Sequence, residues 1–280
     1  MGVLYALASA LCYGLADFAG GLLARRAHFA AVALVGQAGG LLLALAAVPL
    51  FPAASLQPAD LAWGALSGVG TGLGMVFLFR GLSHGTMSVV VPVSAVAGVA
   101  LPVLVGVVLL GDRPSALAWA GVLVTIPALW LVSRDGEAGH DGGTGPAGVP
   151  DALVAGTGIA LQYLALAQAG PGAGVWPVAA GRVAAIATVL PMVVSSGARF
   201  RMPPGRLLGA AATGMTASGA LVLYMLAARE QLLAVAVVLS SLYPAIPVLL
   251  GVTALRERLT RWQAAGLAGA GAATLLLAAG

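Results

Sequence analysis

The segment GALSGVGTGLG, residues 64–74, has a counterpart in GAAATGMTASG, residues 209–219, displaced by 145 positions without a gap. Gly64 meets Gly209 and Gly74 meets Gly219. Outward from this core the same offset pairs Gly36 with Gly181, Pro102 with Pro247, Arg113 with Arg258 and Gly121 with Gly266. Phe18 meets Tyr163, Phe79 meets Tyr224, and Asp112 meets Glu257. Matched glycines and prolines carry the most weight, because they fix backbone geometry and not merely apolar character. Gly64, Gly68 and Gly72 form a small-residue stripe at four-residue spacing, suited to close helix contact. No strand signal precedes it and no GKS or GKT follows it, which excludes a nucleotide-binding loop.

The composition decides the solvent. Of 280 residues, 60% are hydrophobic and 8% charged, and the mean hydropathy is +1.03. A soluble chain of this size could not bury so much apolar surface, so the sequence predicts an integral membrane protein. All 13 basic residues are arginine. Most of them lie in short segments between apolar runs, where they meet anionic lipid and orient helices, so no nucleic-acid partner is expected despite a net charge of +4. The single cysteine, Cys12, excludes an internal disulfide and any CxxC motif. His28, His84 and His140 are too far apart in sequence to read as a metal site, and no cofactor is expected. The apolar N-terminal stretch lacks a basic segment before it and reads as a first span, not a cleaved signal.

About 20 apolar residues cross a bilayer as a helix. On that measure the chain is expected to be all-α, with ten spans near 3–23, 29–50, 61–82, 86–110, 115–133, 152–170, 175–196, 205–227, 232–254 and 260–279. Residues 1–133 form a first five-helix repeat, 134–150 a Gly- and acid-rich linker, and 151–280 a second five-helix repeat. Five spans per repeat is odd, so the halves should insert in opposite senses. The arginines agree: Arg25-Arg26 of the first half corresponds to an arginine-free loop in the second, and the bare loop at 51–60 corresponds to the basic loop at 199–206. Their count places both termini outside the cytoplasm.

Ionisable groups inside spans are costly unless paired or facing water, which makes each a functional candidate. Asp17, Arg80 and Arg182 stand out. Asp17 lies about 9 Å from the end of its helix at 1.5 Å per residue, and it is expected to pair with Arg80, or to lie close to it, beside a central cavity. Asp17 has Gln162 as its repeat counterpart and Arg182 has Gln37, so these five residues are the candidates for substrate or coupling contact. The structural alternatives are an ion pair, an arginine reaching the headgroups, or amides gluing helices together. Phe18, Tyr163, Phe79 and Tyr224, with Ser240, Ser241 and Tyr243, are candidate cavity-lining residues. Pro92, Pro102, Pro244 and Pro247 are candidate kinks or hinges.

The run Val237-Val238-Leu239-Ser240-Ser241-Leu242-Tyr243-Pro244, then Arg256-Glu257-Arg258-Leu259-Thr260 and Gly266, resembles the EamA-like family of the drug/metabolite transporter superfamily. Gly111-Asp112-Arg113-Pro114 with Gly121 matches its first repeat more loosely, and Tyr13-Gly14 with Asp17-Phe18 resembles its opening helix. Gly181-Arg182 is similar to its second-helix arginine. Gln37 departs from that arginine, Val99 from the proline matched by Pro244, and Asp112 from the usual glutamate. The resemblance implies ten helices in two inverted repeats and transport of small metabolites, often export.

The expected protein is thus a non-enzymatic secondary transporter in a bacterial plasma membrane. It would move a small molecule such as an amino acid or organic cation by alternating access, with protons as a coupling candidate, as a monomer or homodimer. An uncoupled facilitator, or a membrane scaffold or enzyme, are the alternatives; the lack of any catalytic constellation argues against the last.

Overall fold

The computed structural model describes residues 1–105, 115–133, 148–195, 202–230 and 242–279. Every regular element among them is helical. In chain order these are α1 (Gly2–Ala24), α2 (Phe29–Ala47), α3 (Pro58–His84), α4 (Met87–Val105), α5 (Ala116–Ser133), α6 (Val149–Leu166), α7 (Trp176–Ser195), α8 (Pro204–Glu230), α9 (Ala245–Thr253) and α10 (Arg261–Ala279). Single 3-10 turns at Val48–Leu50 and Pro171–Ala173 precede α3 and α7. Six of the described helices (α1, α2, α3, α6, α7 and α8) are long and apolar enough to cross a membrane.

The exposure pattern is the reverse of that of a water-soluble bundle. Leu4, Leu7, Leu11 and Leu15 form an exposed stripe along α1, and Leu123, Ile126 and Trp130 another along α5. Each such side chain would forfeit roughly 1.5–3 kcal/mol if left in water. Meanwhile Ser9, Asp17, Gln37, Arg182, Thr213 and Ser218 are buried. Apolar faces outward and polar groups inward suit a lipid solvent.

The helices pack chiefly across the halves. α3 lies against α6 and α7, α8 against α1 and α2, and α2 crosses α7. α5 pairs with α10, while α4 packs on α6, α9 and α10. Glycine makes the closest crossings. A Cβ on Gly68 would collide with the backbone of Gly181, one on Gly39 with Ala211, and one on Gly214 with Gly36. Backbones therefore touch at these points.

Two ends of the bundle are distinguished by their contacts. At one end Arg25 donates to Leu82 O and Gly85 O, Arg206 donates to Arg26 O, and Arg80 and His84 meet Asp151. At the other, Ala54 N and Ser55 N donate to Gly172 O, and Gly170 N donates to Asp60 Oδ1 at 2.7 Å. Asp60 also accepts from Gln57 N at 2.9 Å, closing a capping box at the start of α3.

Several expected boundaries move. α6 begins at Val149, inside the expected 134–150 linker, because Pro150 is tolerated in a first helical turn. Gly148 precedes it at φ +90, and a Cβ there would meet Gly81 O and Val90. Pro92 and Pro102 both lie within one continuous helix, α4. Pro244 instead sits in the turn that starts α9, where Pro247 is fully buried. Ser240, Ser241 and residues 134–147 lie outside the described residues.

Candidate substrate site

Glycine positions the polar centre. Gly36, Gly39 and Gly40 bring α2 against α8, and Gly181 brings α7 against α3. The α2–α7 crossing between them holds Gln37 and Arg182, 3% and 7% exposed. Arg182 Nη1 donates to Gln37 Oε1 at 2.7 Å. Gly40 leaves room for two further polar atoms: a Cβ there would stand 2.7 Å from Ser218 Oγ and 3.2 Å from Arg182 Nε. Ser218 Oγ is buried with no hydrogen-bond partner among the described residues.

Asp17 lies one turn along α1 from Tyr13 and is 8% exposed. Among the described residues no hydrogen bond or ion pair reaches it. Its carboxylate lies within electrostatic reach of the phenols of Tyr13, Tyr163 and Tyr243. The Tyr13 and Tyr243 rings are 6.1 Å apart between centroids and tilted by 56°. Tyr13 also interacts electrostatically with the Arg182 guanidinium, so it is within reach of both buried charges.

The expected Asp17–Arg80 pair does not form. Phe79 turns toward α1, where its ring fills the space left by Gly20. Arg80, one residue and about 100° further round the helix, faces α6 instead. Its Nε lies 3.6 Å from Asp151 Oδ1, its side chain is half exposed, and its guanidinium sits over Phe77. Phe18 packs against the apolar core, as Tyr243 does.

Cavities connect the remaining candidates. One of about 400 Å³, walled by Tyr163, Tyr224, Leu166, Pro177, Val178 and Leu221, lies at the Gly170–Gly174 end of the bundle. Leu166, Pro177, Val178 and Leu221 are also walls of a pocket of about 20 Å³ that reaches Gln162 and Arg182. A third, of about 30 Å³, touches Arg182 and Gln37 from the other side, with Thr213 and Phe79. The small pockets suit a water molecule each; the large one suits a small organic molecule.

The candidate site residues read from the sequence omit Tyr13 and Ser218. Tyr13 is legible in retrospect, since residues four apart on a helix share a face and Asp17 was already singled out. Ser218 carries no such signal, because serine is common in membrane helices. Among the described residues no group of His, Cys, Asp and Glu side chains converges to hold a metal ion.

Comparison with known proteins gives the context for this geometry. Residues 1–134 match the model of the EamA-like transporter family. The match covers just under half of the chain, which is similar to the family over those residues. EamA-like proteins are integral membrane transporters of the drug/metabolite transporter superfamily. Asp17, Gln37 and Arg80 lie within the matched residues; Arg182, Tyr163 and Ser218 lie beyond them. A solved structure, titled only "Crystal structure of protein", is similar at a TM-score of 0.60 and 19% identity. It covers 99% of this chain and 98% of its own, so the fold is shared over the whole length. No curated protein matches the sequence.

Proposed function

We propose that the chain is a ten-helix secondary transporter, built from two inverted five-helix repeats, that moves a small polar metabolite by alternating access. The repeat assignment is supported by the packing. Exchanging α1 with α6, α2 with α7 and α3 with α8 turns the α3–α6 contact into α8–α1, and α3–α7 into α8–α2. The α2–α7, α4–α9 and α5–α10 contacts map onto themselves. The end contacts agree as well: each joins segments that a ten-span chain would carry on one side of the membrane. The arginine-rich end faces the cytoplasm under the positive-inside rule, and the tyrosine-walled cavity opens away from it.

One observation carries the functional reading. Two opposite charges, Asp17 and Arg182, are buried with no ionic partner among the described residues; Arg182 lies behind the floor of a 400 Å³ vestibule, and Asp17 within electrostatic reach of its wall residue Tyr163. Uncompensated charge in a membrane interior is costly and persists where a ligand or ion compensates it. Asp17 receives a cationic group or a proton, and Arg182, braced by Gln37, receives an anionic or carbonyl group. The substrate is therefore a small polar or zwitterionic molecule, with an ion gradient or its own gradient supplying the energy.

The test is an uptake screen in proteoliposomes over amino acids, organic cations and sugars, with and without an imposed pH gradient. Saturable flux that Asp17→Asn abolishes supports the reading. Flux that ignores the pH gradient removes proton coupling, and Asp17→Asn flux equal to wild type removes the site.

A further inference from the structure

Glu257 makes more contacts between the halves than any role in a turn requires. It lies in the α9–α10 loop, with its side chain 7% exposed. Oε1 accepts from Met87 N at 2.9 Å and from Arg25 Nη2 at 3.3 Å. Oε2 accepts from Ser88 N at 3.0 Å and from Ser88 Oγ at 2.7 Å. One carboxylate from the second half thus caps the start of α4 and reaches the end of α1. Arg25 extends the tie, donating to Leu82 O at 3.0 Å and Gly85 O at 2.9 Å at the end of α3.

The loop is built to hold this position. Arg256 adopts φ +57, a left-handed conformation that non-glycine residues avoid. It turns the chain so that Glu257 points inward. Glu257 N donates back to Gly251 O at 3.0 Å, and Gly251 lacks the Cβ that would stand 2.8 Å from Glu257 Oε2.

The repeat does not duplicate the side-chain partners of Glu257, whose own counterpart is Asp112. The counterparts of Arg25, Met87 and Ser88 are Gly170, Leu232 and Leu233, so the other half offers neither the guanidinium nor the hydroxyl. The vestibule, meanwhile, lies at the opposite end of the bundle.

We propose that Glu257, with Arg25 and the start of α4, is a latch that holds the arginine-rich end shut while the other end admits substrate. Releasing it lets α9 and the α9–α10 loop part from α1 and α4, which opens the arginine-rich end and closes the vestibule. The proposal rests on the alternating-access reading above, but its test needs no substrate. A failed latch leaves that reading to the uptake screen, and a failed screen does not alter the distances measured here.

The test uses the full chain with Cys12→Ser, carrying spin labels at exposed positions outside the latch. One pair, Thr86 and Arg258, reports the arginine-rich end; the other, Leu56 and Gln168, reports the vestibule end. Glu257→Ala is expected to lengthen the first distance by on the order of 5 Å, the scale of a one-turn displacement, and to shorten the second. Arg25→Ala, which leaves α4 capped, is expected to shift both in the same directions by less, and it carries the test if Glu257→Ala does not fold. Unchanged distances overturn the latch. So does lengthening at the arginine-rich end alone, which is what a merely frayed helix start would give.

Discussion

Arg182 and Gln37, the one pair of described residues joined by a side-chain hydrogen bond at the repeat distance of 145, meet at 2.7 Å in the crossing of α2 and α7. Equivalent positions of two repeats touch only where an axis relating those repeats passes between them. In the inverted-repeat reading, this hydrogen bond marks that axis. It also marks where the halves differ chemically, since one side supplies a cation and the other an amide.

That geometry predicts an outcome for exchange of the pair. Gln37→Arg alone sets two buried guanidinium groups against each other, and an uncompensated buried charge costs about 3–5 kcal/mol. The variant is expected to melt far below wild type and to elute as aggregate. Gln37→Arg combined with Arg182→Gln moves one cation across the axis and is expected to recover most of the melting temperature. A double variant no more stable than the single one would contradict the axial placement.

Close backbone contact separates the glycines into two groups. Gly68→Val and Gly39→Val each drive a side chain into the opposing helix backbone, and purified yield is expected to collapse. Gly271 has nothing within 4 Å of an added Cβ. Gly271→Ala should raise stability by about 1 kcal/mol through helix propensity, read as a higher melting temperature.

Ser9 Oγ donates to Ala220 O at 2.7 Å and ties α1 to α8. Ser9→Ala leaves that carbonyl its helical partner and removes one hydrogen bond, at a cost of roughly 0.6 kcal/mol in a membrane interior. A small drop in melting temperature with unchanged uptake is the expected result.

The Arg80–Asp151 contact predicts a contrast with Asp17. Arg80 is half exposed and its pair is 3.6 Å long, and exposed pairs contribute about 0–1 kcal/mol. Arg80→Ala is therefore expected to keep wild-type uptake within a factor of a few, in the same assay where Asp17→Asn loses it.

The sequence discloses long-period features well and side-chain direction poorly. The apolar runs give the helices, and the matched glycines include the contact points Gly36, Gly64 and Gly181. The offset also singles out Gln37 with Arg182, although it does not show that the two touch. Asp17 and Arg80 are the instructive failure. Both lie near one end of the bundle, but helix rotation decides which neighbour a side chain meets, and that rotation is set by Phe79 filling the gap at Gly20. No local pattern records such a contact. Tyr13 is the intermediate case, noted in sequence as part of the opening-helix motif but tied to the site by its four-residue spacing from Asp17, and Glu257 looks like a turn residue until its contacts with Met87, Ser88 and Arg25 are known.

Saturable flux through purified protein in liposomes, compared among wild type, Asp17→Asn, Arg182→Gln and the Arg80→Ala control, tests the transporter reading most directly. The account predicts flux for wild type and Arg80→Ala, with at least a tenfold loss for Asp17→Asn and Arg182→Gln, about 1.4 kcal/mol or more. Folded Asp17→Asn and Arg182→Gln proteins that carry substrate at the wild-type rate would contradict it.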